Sequence, residues 1–118
     1  MIKQWIEPDE LRRALESRCA VTILDVRGLW EFFSGLLGRL PEALNVPLPM
    51  LPACLDELGR RAPASIVVVS GTQVRSERAA TQLRAAGFQT VSVLRGGMQN
   101  WRRLGYACLG APASRRDE

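Results

Sequence analysis

The sequence predicts an α/β fold: a central parallel sheet of five strands with helices on both faces. Three observations carry this. Short β-branched runs with almost no polar residue occur at residues 20–26 (AVTILDV), 65–70 (SIVVVS) and 90–94 (TVSVL), the pattern of strands buried on both faces. Segments with helical apolar spacing lie between them. Strands alternating with helices imply βαβ units, and so a parallel sheet with right-handed crossovers.

In chain order, residues 4–6 give a short strand. A helix is expected at about 8–18: Pro8 suits a first turn, Asp9 and Glu10 suit the positive end of the helix dipole, and Leu11, Ala14 and Leu15 form one stripe. The strand at 20–26 follows, then a short one at 44–46. Residues 50–58 read as a helix ended by Gly59. The strand at 65–70 leads to the clearest helix, 76–86, where Ala79, Ala80, Leu83 and Ala86 share a face and Gly87 stops it. Small alanines let that helix approach a sheet closely. The strand at 90–94 and a helix at 97–104, with Met98 and Trp101 one turn apart, complete a single domain over residues 1–109. Residues 110–118, made of Gly, Ala, Pro, Ser and charges without an apolar period, are expected to be a flexible C-terminal tail.

Composition narrows the chemistry. The 118 residues are 47% hydrophobic and 24% charged, ordinary for a globular protein. No apolar run approaches the roughly 20 residues that span a bilayer, and the N-terminus lacks the pattern of a signal peptide. A cytoplasmic domain with no membrane partner is expected. There is no histidine, which removes Ser-His-Asp and Cys-His catalysis and every zinc site that needs imidazole. Lys3 is the one lysine, a poor candidate for a Ser-Lys dyad or a Schiff base. Cys19, Cys54 and Cys108 are odd in number and far apart, so neither a disulfide framework nor a metal site is expected. The net charge of +4 is concentrated between Arg75 and Leu104, where six arginines face Glu77 alone. That run is either a solvated face or an anion-attracting surface. Nucleic-acid binding lacks any aromatic-interleaved or groove-reading motif.

Ligands of such sheets bind outside the carboxyl ends of the strands. That selects the loops after Val26 and Val69. Residues 67–80 (VVVSGTQVRSERAA) run from a buried strand through a tight loop at 70–75 straight into a helix. Backbone N–H groups of Ser70, Gly71, Thr72, Gln73, Val74, Arg75 and Ser76 can converge there beside the helix N-terminus and hold an anion; Ser76 is placed to cap the helix or fill its first turn.

At this point the chain resembles the rhodanese-like family. That family carries a strand, then C-x-x-G-x-R-S, then A-A-x-x-L-x-x-x-G-F; here Arg75-Ser76, Ala79-Ala80, Leu83 and Gly87-Phe88 stand at matching spacing. Upstream, L-D-V-R, E-[FY]-x-x-G and G-H-I-P-G-A-x-N-[IV]-P are matched by Leu24 to Arg27, by Glu31-Phe32 with Gly35, and by Pro41, Ala43 and Asn45-Val46-Pro47. Downstream, L-x-G-G-x-x-x-W-x-x-x-G is matched by Leu94, Gly96-Gly97, Trp101 and Gly105. The resemblance covers roughly residues 5–109 and implies a three-layer fold around a five-stranded parallel sheet. It also implies sulfane-sulfur transfer without a cofactor: a cysteine takes sulfur from a donor such as thiosulfate, holds it as a persulfide and passes it on.

The family cysteine falls at Ser70. A thiol near pKa 8.5 is readily lowered by converging donors, whereas a serine hydroxyl needs an adjacent base. Ser70 is therefore expected to be inactive in sulfur transfer. Gln73 replaces the loop glycine, at a cost of roughly 1–2 kcal/mol if a left-handed angle is required there. Arg39 replaces a histidine, Glu42 a glycine, and residues 36–38 read as a short insertion. By resemblance, Asp25 and Arg27 support the rim of the site; a buried ion pair that orders loops explains them equally. Three readings stand: a module binding a small anion (thiosulfate-, sulfate- or phosphate-like) or a persulfide-bearing protein; a sulfurtransferase whose cysteine has been changed to serine; and a phosphatase relative, which would need a longer loop and a cysteine. Finally, residues 29–40 hold Leu29, Trp30, Phe32, Phe33, Leu36, Leu37 and Leu40, either core or a surface for a partner or self-association.

Overall fold

The computed structural model describes residues 4–61 and 65–111. Five strands, β1 (Trp5–Ile6), β2 (Val21–Asp25), β3 (Leu44–Asn45), β4 (Ser65–Val69) and β5 (Val91–Leu94), form one parallel sheet in the order β1-β5-β4-β2-β3. The helices are α1 (Pro8–Glu16), α2 (Leu29–Ser34), α3 (Leu51–Arg61), α4 (Val74–Ala85) and α5 (Gly97–Arg103), with a 3-10 turn at Leu48–Met50 before α3. The predicted α/β fold with five parallel strands flanked by helices is therefore the observed one. Among the described residues no helix is long and apolar enough to cross a membrane. Residues 112–118 of the expected tail lie outside the described residues.

Strand alternation sorts the core into two layers. Leu24, Val26, Ile66, Val68, Val91 and Val93 pack with Leu51 and Leu58 of α3 and with Ala79, Ala80 and Leu83 of α4. Ile23, Val67, Val69 and Leu94 pack on the other face with Leu11 of α1, with Met98 and Trp101 of α5, and with Leu40. Both faces of β2 and β4 are thus covered, which is why these strands read as runs with few polar residues.

Helices α3, α4 and α2 depart from expectation. Helix α3 does not end at Gly59 but continues to Arg61. Gly59 is exposed, and a Cβ there would meet only Phe88 at 3.7 Å, so it is a tolerated interior glycine. Gly87, with φ +100°, is the left-handed terminator that Gly59 is not. Helix α4 begins at Val74, two residues before the expected start. Helix α2 was unexpected as an element, although Leu29, Phe32 and Phe33 stand at i, i+3 and i+4; Gly28 precedes it and donates its N–H to Glu31 Oε1 at 3.0 Å.

The turn between β5 and α5 presses against the loop after β4. Gly97 has φ +63°, and a Cβ there would lie 2.3 Å from the Thr72 carbonyl oxygen, 2.5 Å from that of Ser70 and 2.6 Å from that of Gly71. Only glycine fits both the angle and the contact. Gly97→Ala is expected to destabilise the fold by more than the roughly 1–2 kcal/mol of the left-handed angle alone, because the loop must also move. Urea unfolding of the two proteins measures this; equal midpoints would contradict it.

Candidate functional site

Strands β2 and β4 are neighbours, so the segments leaving their carboxyl ends lie side by side; Val26 N–H donates to the Val69 carbonyl at 2.9 Å. Ser70 follows β4 directly and is fully buried. Its hydroxyl donates to the Thr72 carbonyl at 2.5 Å and accepts from the Ser76 N–H at 3.2 Å. The Ser76 hydroxyl lies 3.2 Å from Ser70 Oγ and gives its own proton to the Gln73 carbonyl at 3.1 Å. No base adjoins Ser70 in these contacts.

The open loop is shorter than residues 70–75. Gln73 is the N-cap of α4, and Val74, Arg75 and Ser76 form its first turn. Ser76 is therefore a first-turn residue and not the cap. Thr72 Oγ1 accepts the Val74 N–H at 3.3 Å, a local turn that starts the helix. The N–H groups of Gly71, Thr72 and Gln73 have no hydrogen-bond partner among the described residues. Carbonyls on the opposite side of the loop are held: Met98 N–H donates to Ser70 at 2.8 Å and Gln99 N–H to Gly71 at 2.9 Å.

The strain expected at Gln73 is absent. Its φ is −102°, a conformation open to any residue. Its side chain instead accepts the Gly96 N–H at 2.9 Å through Oε1, tying the loop to the turn before α5. Left-handed strain sits elsewhere, at Arg18 (φ 56°) and Glu42 (φ 62°). Glu42 stands where the family pattern has glycine, which explains that pattern.

Arg75 does not present a free guanidinium. It makes two 2.7 Å bonds to the two carboxylate oxygens of Glu31 on α2. The hydrogen bonds from Arg75, then that from the Gly28 N–H, lower the Glu31 carboxyl to about 2, and the pair raises Arg75 above its ordinary value. Glu31 was not singled out as a site residue, although its place in the E-[FY]-x-x-G motif marked it. A depressed carboxyl stabilises the fold above its unfolded pKa of about 4.3, and that contribution fades as pH falls toward 2. Both side chains are more than a third exposed, so water screens the pair and the contribution is small. Glu31→Gln is expected to flatten the stability-versus-pH curve between about pH 4.5 and 2 without a large loss at pH 7; guanidine midpoints at several pH values check this.

Asp25 and Arg27 form a second, buried pair, each 1% exposed. Arg27 Nε donates to Asp25 Oδ1 at 2.9 Å and its Nη2 to Oδ2 at 2.7 Å. The same Nη2 reaches the Gly38 carbonyl at 2.8 Å, and the Asn45 side chain donates to the carbonyls of both Asp25 and Arg27. The pair thus holds the 36–38 segment through the Gly38 carbonyl. Leu37 of that segment comes within 4.0 Å of where a Cβ on Gly71 would be, so the segment overhangs the loop. It is also held from the C-terminal side, by the Arg39–Leu109 bridge and by the Cys108 thiol, 3.6 Å from the Leu37 carbonyl. Cys19 is exposed, and Cys54 lies on α3. None of the three thiols contacts the loop among the described residues.

Comparison with known proteins places this geometry. The family model of the rhodanese-like domain matches residues 7–104. A sulfurtransferase of Allochromatium vinosum is 30% identical over 100 residues, covering 85% of this chain and 89% of that protein. The crystal structure of a rhodanese-related protein from Thermoplasma volcanium superposes with a TM-score of 0.73 at 28% identity, covering 88% of this chain and 95% of that one. A rhodanese-like domain protein from Staphylococcus aureus does so with a TM-score of 0.72 at 26% identity, over 97% and 99% of the two chains. With the family model matching most of its length and its fold superposing on these structures, the chain belongs to the rhodanese-like domain family, related to sulfurtransferases.

Proposed function

We propose that this domain is a non-catalytic rhodanese-like module that binds a small oxyanion, of the thiosulfate, sulfate or phosphate kind, or the persulfide of a partner protein, at the loop after β4. The observation that carries the reading is the state of Ser70: a buried hydroxyl with its proton committed to the Thr72 carbonyl and no base beside it. A serine in this state cannot form the sulfur–sulfur bond of a persulfide. The unpartnered N–H groups of Gly71, Thr72 and Gln73, next to the N-terminus of the twelve-residue α4, support anion binding. Arg75 contributes less than its position suggested, since Glu31 already neutralises it.

Two measurements test this. The purified chain is expected to transfer no sulfur from thiosulfate to cyanide above background. Activity that survives Ser70→Ala would assign the chemistry to Cys19, Cys54 or Cys108 and overturn the reading. Titration with sulfate or thiosulfate is expected to shift the backbone amide signals of residues 71–76 in NMR spectra, with millimolar affinity. Unmoved signals at tens of millimolar would show that the loop holds no anion.

A further inference from the structure

We propose that a second copy of this chain docks on the apolar face around the loop after β4, so that the protein is a two-fold dimer. The proposal does not rest on the anion-binding reading. Leu29 is 61% exposed, Trp30 80%, Phe33 56%, Leu36 78% and Val74 62%. These are not scattered. Leu29, Trp30 and Phe33 share α2, and Leu36 follows it by two residues. The double hydrogen bond between Glu31 and Arg75 joins α2 to the first turn of α4, where Val74 stands. Phe32 of α2 is buried in the domain and Glu31 is bonded to α4, so α2 is anchored on two sides.

The area fits a second copy. At the usual size of aromatic and aliphatic side chains, these five expose on the order of 700 Å², against about 800 Å² per partner in a standard interface and about 300–600 Å² for the largest apolar patch of a typical monomer. A two-fold interface sets a patch against itself, so any unbalanced charge in it meets its like. Here the Glu31–Arg75 pair within the face is closed on itself. The Arg39 guanidinium beside it lies over the Phe32 and Phe33 rings, at 5.7 and 5.5 Å. The pair adds no net charge to the face; the Arg39 charge, which the rings do not cancel, is the one that would meet its like. Loop residues 71–73 then lie at the dimer interface.

The full chain is to be examined by sedimentation velocity from about 1 to 200 µM, where mass action resolves a micromolar dimer. The expected result is a species of twice the 13.1 kDa chain mass, formed reversibly with concentration. The pair Trp30→Asp and Leu36→Asp is expected to weaken association at least a hundredfold, with an unchanged far-ultraviolet spectrum and unfolding midpoint. Should that pair fail to fold, Trp30→Ser with Leu29→Ser reads the same face. Tryptophan emission adds a local signal: association is expected to shift it to the blue in the native chain and not in Trp30→Phe. A monomer at every concentration overturns the proposal. So does a dimer that survives folded substitutions, or one whose emission does not depend on Trp30, because the interface then lies elsewhere.

Discussion

Ser70→Cys is expected to give the loop after β4 a weak sulfurtransferase activity. The change places a sulfur where Ser70 Oγ now accepts the Ser76 N–H, at the N-terminus of α4. Both features favour a thiolate, so the new thiol should titrate below the ordinary value of about 8.5, within the range of roughly 3.5–7.5 seen at such sites. Attack on the outer sulfur of thiosulfate would then release sulfite and leave a persulfide, which cyanide discharges as thiocyanate. One contact opposes this. The Thr72 carbonyl, 2.5 Å from Ser70 Oγ, faces the place where negative charge would form. It must turn away before the N–H groups of residues 71–73 can serve, and each donor left misdirected forfeits about 2.7–4 kcal/mol of transition-state stabilisation. A rise of at least a hundredfold over native background is expected, well short of a full enzyme. Gln73→Gly should not help further, because Gln73 is unstrained and its removal strands the Gly96 N–H. Alkylation rate against pH gives the thiol pKa, and thiocyanate formation gives the transfer rate. An unshifted pKa with no transfer would show that a thiol at this position is not enough for the loop to act.

Asp25→Ala is expected to be the most destabilising single change near the site, by about 3–5 kcal/mol, because it leaves the Arg27 guanidinium buried with only the Gly38 carbonyl as partner. The loss should spread to the 36–38 segment, which hangs on that bond. Removing both charges, as in Asp25→Ala with Arg27→Met, should cost less than the single substitution, since the penalty lies in the unpaired charge and not in the absence of the pair. Thermal unfolding of the three proteins decides it. A double variant less stable than Asp25→Ala would mean that Arg27 acts through packing alone.

How far the sequence carries depends on how local the cause is. Strands β2, β4 and β5 were legible because burial on both faces writes itself as runs with few polar residues. The same holds for α4 and its end at Gly87, where alanine spacing and a left-handed glycine are local facts. The start of α4 was not legible: Val74 is exposed, and its place in the helix is set by the Thr72 hydroxyl and by the bonds from α5 to the loop. The role of Arg75 was closed to sequence because its partner Glu31 is distant in the chain and is brought to it only by the placing of α2 beside α4. Gln73 shows the converse error. A glycine in a family pattern suggested a strained angle, whereas here the side chain found a partner on a distant turn and the backbone an ordinary conformation.

The first strand has its own consequence. Trp5 pairs with Val93 and Ile6 with Leu94, so the beginning of the chain is laid against its last strand, at the edge of the sheet. Glu7 then pairs with Arg95 at 2.6 Å, and the Arg95 guanidinium sits over the Trp5 ring. During synthesis β1 leaves the ribosome before β5, the strand it pairs with, and has to wait for it. In the finished protein it is held by two residue pairs and a clasp open to water, whereas β4 is flanked on both sides. The amides that β1 and β5 share should therefore exchange with deuterium before those between β2 and β4, making this edge the place where the fold closes last and opens first.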